Sequence, residues 1–370
     1  MFIKRFKTIG GLSSLTRYVN MLSGLAPYVP TTNSTAVLLP VSASPYMQVQ
    51  NWFNGSTIGF NGKYANPAVL PDYYARNSSW SRAKGYLSVS FDFSPYFRTY
   101  TFNDAIGFGT AYSNPSSLPA GGNTVGIDLQ VDDSLIFLAH ATSPYITGYP
   151  FGTSSGYGTK LANPATLIGS AGLGITFFNE TVFVSSSATP FLHAYQFSMS
   201  QQAYGTKYAN PVTLPTYGGY FAKVHPSGNA VATGYLSGAY TYAWSKTSGF
   251  GTKYAQPSGD PYAYALDFSS TGNTVIMAGG SSPFINAYPF TIAGGYGSKF
   301  SNPSTLPTGD VPYYNSVAFS HNAQAAAVLS TSSPYVYAYA FSEATGFGSK
   351  YSDPLGLLAT GYFTGGINFN

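Results

Sequence analysis

The chain has 370 residues, 16 of them basic and 12 acidic, and only 8% are charged, against about 25% in ordinary soluble domains. Aromatic residues reach 17%, which excludes a disordered polypeptide. The absence of cysteine excludes both a disulfide framework and a thiolate metal site. The net charge of +4 is carried by Lys4, Arg5, Lys7 and Arg17, so the remainder is neutral and offers no basic face for nucleic acid.

Taken in chain order, the first element is a basic segment over residues 1–30. Its run "TIGGLSSLTRYVNMLSGLA" is broken by Arg17 and Asn20. It lacks the clean apolar core of a signal peptide and is too polar to span a bilayer. Leu12, Leu15, Val19, Leu22 and Leu25 follow a helical stripe. Residues 1–30 are expected to be an amphipathic docking segment with Lys4, Arg5, Lys7, Leu12, Leu15, Val19 and Leu22 as its contacts. A short helix packed on its own domain is the plainer alternative, and membrane association the least favoured one.

From residue 31 onward two phrases alternate. The first is glycine-rich, as in "GYGTKLANPATL" from Gly156, and its anchoring prolines are Pro67, Pro115, Pro164, Pro211, Pro257, Pro303 and Pro354, spaced 46 to 51 residues apart. A period of that size signals a solenoid, an array or a propeller. The second phrase, as in "SPYITGYPF" from Ser143, alternates aromatic or β-branched residues with small or polar ones, a strand pattern headed by a tolerated proline. Two further strands precede it, for example "YALDFSSTGNTVIMAGG" from Tyr264 with its turn at Ser270–Asn273. The glycine-rich phrase supplies a fourth, shorter strand. Four-stranded antiparallel units repeated radially make β-propeller blades. The expected fold is all-β, a seven-bladed β-propeller over residues 31–370. The first blade is expected to be closed by the C-terminal strand, because "STAVLLPVSASPY" lacks an inner strand and "GYFTGGINFN" has only that one.

Trp52, Phe102, Phe151, Phe197, Trp244, Phe290 and Phe341 end the second phrase in every unit. They are expected to plug the spaces between blades, each contributing about 4–6 kcal/mol as an upper bound. The lysines of the first phrase (Lys63, Lys160, Lys207, Lys253, Lys299, Lys350) are expected to be structural or solubilising on the outer strand.

The four-strand unit, with "SVAFSHNA" from Ser316, resembles WD-repeat propellers. The glycine-rich phrase is similar to a repeat in propeller proteins of tailed-bacteriophage particles, a resemblance that spans residues 33–370. It implies a virion component, with other virion proteins of the capsid or tail as partners.

The candidate chemistry is sparse. "GFGTK" at Gly249 sits between strands rather than before a helix, so it is no phosphate loop. One inner-strand position holds Asp128, Thr176, Lys223, Asp267, Ala318 and Asn368, which would place two carboxylates and an ammonium near the axis. Channel lining is the favoured role there, and acid–base catalysis the alternative. The four histidines occupy different repeat positions and share no ligand spacing, so neither a metal nor a cofactor is expected. Tyr73, Tyr74, Tyr217, Tyr220, Tyr262, Tyr264, Tyr313, Tyr314 and Tyr362 lie between the Asn-Pro phrase and the inner strand. They are expected to cluster near the axis on one face, either as a binding surface or as filling. The function expected is a non-enzymatic structural or attachment disc of a tailed-phage virion. The alternative is a propeller that grips a host receptor or glycan with its tyrosine face.

Overall fold

A computed structural model of the chain describes residues 33–40, 48–53, 59–71, 75–81, 85–129, 134–258, 262–312, 315–354 and 363–369. The docking segment 1–30 lies outside these residues. The chain divides into two units, 1–31 and 32–370, and everything below concerns the second.

The described strands form seven four-stranded antiparallel sheets. In chain order they are β1 (Asn33–Pro40), β2 (Gln48–Phe53) and β3 (Gly59–Lys63); β4 (Ala75–Trp80), β5 (Tyr86–Phe91), β6 (Phe97–Asn103) and β7 (Gly107–Ala111); β8 (Thr124–Leu129), β9 (Leu135–His140), β10 (Ile146–Gly152) and β11 (Gly156–Tyr157). There follow β12 (Gly172–Phe178), β13 (Thr181–Ser186), β14 (Leu192–Ser198) and β15 (Ala203–Lys207); β16 (Lys223–Val224), β17 (Ala230–Tyr235), β18 (Gly238–Ser245) and β19 (Gly249–Lys253). The last are β20 (Ala265–Phe268), β21 (Thr274–Ala278), β22 (Ile285–Thr291) and β23 (Gly295–Tyr296); β24 (Val317–Phe319), β25 (Ala325–Leu329), β26 (Val336–Ser342) and β27 (Gly346–Lys350); and β28 (Phe363–Phe369). The sheet of β1, β2 and β3 takes β28 as its fourth member, in a register that sets Val37 opposite Asn368 and Leu38 opposite Ile367. Each innermost strand contacts the next in the order β28, β4, β8, β12, β16, β20, β24 and back to β28. This is a β-propeller of four-stranded antiparallel blades.

Second strands such as β5 and β9, and the first four residues of third strands such as β6 and β10, are buried without a break, because both of their faces are covered by neighbouring blades. Among the described residues, seven clusters of buried side chains each bridge two adjacent sheets. One, for example, joins Phe137, Val182, Val184 and Phe197, and another joins Leu329, Val336 and Ile367. The core is therefore a set of interfaces rather than a central mass.

The glycine-rich phrase is explained at those interfaces. Tyr64, Tyr112, Tyr208 and Tyr254 each reach into the next blade, where the hydroxyl donates to the carbonyl of Asp104, Thr153, Lys246 and Ile292 at 2.7–2.8 Å. The same rings meet the plug aromatics edge-on. Tyr64 lies 5.1 Å from Phe102, Tyr112 5.0 Å from Phe151, Tyr208 4.9 Å from Trp244 and Tyr254 5.4 Å from Phe290, in the geometry the ring quadrupole favours. Gly295 adopts φ +74°, and a Cβ there would lie 2.8 Å from the Tyr254 ring. The opening glycine of one phrase is thus required by the tyrosine of the phrase before it. The Asn-Pro segment is held in turn by fully buried third-strand tyrosines: Tyr149, Tyr242 and Tyr339 donate to Ser117, Thr213 and Thr305 at 2.7–2.9 Å. Lys253 and Lys350 lie over the rings of Tyr240 and Tyr337 at 5.0 and 5.3 Å, cation–π contacts that cover aromatic surface.

One detail differs from expectation. The proline of the second phrase does not head the third strand. It sits in the preceding turn behind a cis peptide bond in five blades, followed by an aromatic residue at φ 64–73° (Tyr96, Tyr145, Phe191, Phe284, Tyr335). The strand begins only once the chain has left that left-handed turn. Near the axis, Asn315 Nδ2 donates to Asn77 Oδ1 at 3.0 Å past Gly366, where a Cβ would lie 3.0 Å from Asn315 Cβ and 3.1 Å from Asn77 Oδ1. That clasp holds β28 between its neighbours.

Gly295→Ala adds a clash and a left-handed strain, and should cost about 2 kcal/mol; Tyr254→Phe, which removes one hydrogen bond, should cost about 1 kcal/mol. Urea unfolding monitored by aromatic fluorescence measures both, and the double variant should fall short of the sum because the two residues touch.

Candidate functional site at the axis

One level of the innermost strands carries a set of polar side chains. Ser79, Asp128, Thr176, Lys223, Asp267 and Ala318 each stand opposite the third residue of the second strand of their own blade, namely Ser88, Phe137, Phe183, Ala232, Ile276 and Ala327. They therefore share one height. Inner-strand alternation turns them toward the axis, and all except buried Ala318 are partly exposed.

Each carboxylate ties its blade to the next. Asp128 Oδ2 accepts the Phe177 N–H at 2.7 Å and the Thr176 hydroxyl at 3.2 Å, while Oδ1 accepts the Ser79 hydroxyl at 3.2 Å. Ser79 Oγ in turn accepts the Leu129 N–H at 3.0 Å. Asp267 Oδ2 accepts the Phe319 N–H at 2.9 Å, and its Oδ1 lies 3.8 Å from Lys223 Nζ, both side chains being 24% exposed. Among the described residues Lys223 makes this long ion pair and no hydrogen bond. An ammonium has three donors, so this one has hydrogen-bonding capacity to spare in the channel.

Burial pushes the Asp128 carboxyl above the usual carboxylate range, against the Phe177 N–H, the Lys223 charge and the two hydroxyls, which pull it down. Burial disfavours the charged form of an acid, and here it outweighs three hydrogen bonds. The level therefore offers a carboxyl group whose neutral form burial favours, an ammonium and a second carboxyl group.

The tyrosines divide. Tyr73, Tyr74, Tyr313, Tyr314 and Tyr362 lie outside the described residues. Tyr217 is 53% exposed. Tyr220 packs on Tyr235 with ring centroids 4.2 Å apart, Tyr235 on Tyr264 at 5.9 Å, and Tyr264 on Tyr262 at 6.1 Å. Tyr264 is buried, so it fills space between two blades rather than facing solvent. Sequence reasoning missed Tyr235, which ends β17, and Ser79. The signal for Ser79 was available: it holds the same place before its second strand as Asp128 does. Arg76 meets Asp92 through two 2.6 Å hydrogen bonds. No three acidic or histidine side chains among the described residues converge as a metal set.

With this geometry in hand, the chain can be set beside known proteins. No protein-family model and no curated protein sequence matches it. Solved propellers do. A proposed 6-phosphogluconolactonase from Bacteroides uniformis superposes with a TM-score of 0.70 at 10% identity, over 92% of this chain and 100% of its own. A second, from Bacteroides fragilis, gives 0.67 at 10% over 93% and 99%, and a protein from Lactobacillus plantarum gives 0.68 at 11% over 91% and 99%. At such identities the likeness establishes the fold alone. The expected structural or attachment role in a phage virion is corrected at this point. Two of these propellers carry the names of proposed enzymes, and nothing found connects the chain with a virion.

The buried histidines lie apart from the axial level. His193 Nε2 bonds Ser186 Oγ at 3.0 Å and His140 Nε2 bonds Thr147 Oγ1 at 2.9 Å. Burial pushes their pKa values down to about 3 and about 4, from an ordinary 6.5. Between pH 6.5 and those values the unfolded chain binds protons that the folded chain refuses, so stability falls as the pH is lowered through this window. The slope should approach about 1.4 kcal/mol per pH unit for each histidine. Urea midpoints at pH 7 and pH 4.5 should differ less in His193→Gln than in the parent protein.

Proposed function

We propose that the propeller binds a small hydroxylated molecule in its axial channel and acts on it by acid–base hydrolysis, the opening of a sugar lactone being the reaction. The observation that carries this reading is the Lys223 ammonium, partly exposed and without a hydrogen bond among the described residues, between the Asp128 and Asp267 carboxyl groups, of which burial favours the neutral form of Asp128. In a ring of seven blades closed by β28, Asp128 and Asp267 stand three blades apart, as nearly opposite as seven positions allow. A ligand on the axis then has a carboxyl group on either side. The names carried by the similar propellers of Bacteroides support the choice of a lactone.

The roles follow from charge. Asp267 takes a proton from water as the water oxygen bonds to the lactone carbonyl carbon. Lys223 stabilises the oxyanion that forms there, as an ammonium in a partly desolvated site does. Asp128 gives its proton to the ring oxygen as the ring C–O bond breaks. The proton on Asp267 then returns to Asp128 through channel water, and the open hydroxy acid leaves.

Asp128→Asn and Asp267→Asn keep an oxygen for the Phe177 and Phe319 N–H groups, so both variants should fold. Each should lower kcat for lactone opening about 100-fold or more, measured as acid release in a pH-stat. Asp128 acts as a proton donor, so activity should fall as the pH rises through its pKa, and that alkaline limb should vanish in Asp128→Asn. An absence of lactone hydrolysis by the parent protein would refute the proposal.

A further inference from the structure

We infer that the axial site takes an uncharged polyhydroxylated molecule and rejects its phosphorylated counterpart, an inference that rests on the axial site proposed above. The names of the similar propellers point to a phosphorylated lactone; the charges of this chain point elsewhere. A phosphate dianion is held by convergent donors, usually arginine forks or unspent backbone N–H groups. Apart from Lys223, both described arginines and the Phe177 and Phe319 N–H groups are committed. Arg76 is matched to Asp92 in a two-pronged pair with both bonds at 2.6 Å. Arg98 donates to the Leu70 carbonyl. The Phe177 and Phe319 N–H groups point at the carboxylates of Asp128 and Asp267.

Lys223 is the one cation among the described residues at the axial level, and Asp267 lies 3.8 Å from it. A phosphate drawn to that ammonium would be brought against a carboxylate, at a height where Asp128 supplies a second carboxyl group. Like charges at such range in a partly desolvated channel repel strongly. A neutral polyol meets the reverse situation. Its hydroxyls donate to the carboxyl oxygens and accept from the ammonium, and the Thr176 hydroxyl, whose proton is on Asp128, has lone pairs left to accept. An ammonium set among acceptors suits a ligand that both donates and accepts.

The test uses the full chain and two stable probes, sorbitol and sorbitol 6-phosphate, titrated by calorimetry, with hydrolysis of gluconolactone and of its 6-phosphate followed in parallel. Sorbitol should bind at least tenfold more tightly than its phosphate, and the neutral lactone should be opened with a kcat/KM at least tenfold higher. Asp267→Asn, which removes one carboxylate charge but keeps an acceptor for Phe319, should narrow that preference at least tenfold. Equal or tighter binding of the phosphorylated probe, or no binding of either, overturns the inference. Binding of sorbitol without hydrolysis of either lactone supports it while refuting the hydrolytic reading.

Discussion

The propeller depends on one contact made again and again: a tyrosine from the outer strand of one blade laid over the opening glycine of the next, with its hydroxyl on a turn carbonyl and its edge against a buried aromatic. A chain that is 8% charged has few ion pairs with which to join its sheets. It joins them with rings. Tyr64, Tyr112, Tyr208 and Tyr254 do this in the same way, and Phe300 keeps the packing without the hydroxyl, standing 6.0 Å from Phe341. Because every buried cluster spans two sheets, no blade has a core of its own, and burial is gained only by stacking.

That arrangement leaves the axis as the place where polar side chains accumulate. At the rim, aromatic rings set the spacing of the blades; at the centre, Asp128 and Asp267 hold neighbouring inner strands through the Phe177 and Phe319 N–H groups. The same carboxyl groups serve as staples and as candidate acid and base. Using structural acids for chemistry limits what can be changed, since asparagine preserves the staple where alanine would leave a buried N–H unmatched. Lys223 is different. It has no comparable structural bond, and a residue without one is a natural place to look for function.

The sequence disclosed the strand content of each unit because its two phrases repeat with little drift, and a period of 46 to 51 residues leaves no room for helices. The plug aromatics and the axial level of Asp128, Lys223 and Asp267 were legible for the same reason, since equivalent positions can be counted from a phrase. Ser79 was missed because hydroxyl residues are common in this chain and only its bond to Asp128 singles it out. The choice between binding and filling was not legible for Tyr264, because a tyrosine just before an inner strand can face solvent or a neighbouring blade, and only the packing on Tyr235 decides. The turn at Tyr145 was not legible, since alternation alone cannot announce a left-handed residue. The virion role failed for another reason: a shared phrase encodes how blades stack, and stacking is indifferent to what the axis does.

The tyrosine–glycine contact also bears on how such a chain could have grown. The two halves of each contact lie in successive copies of the phrase, so the unit of inheritance is not one sheet but a stretch that begins in one and ends in the following. A duplication that copies any whole period brings a ring for the glycine downstream and a glycine for the ring upstream, and no contact is orphaned. A break in mid-period would leave a hole at one seam and a clash at the other. Gene arrays built on this contact would lengthen or shorten by complete units, which keeps the copies in register while their axial residues diverge.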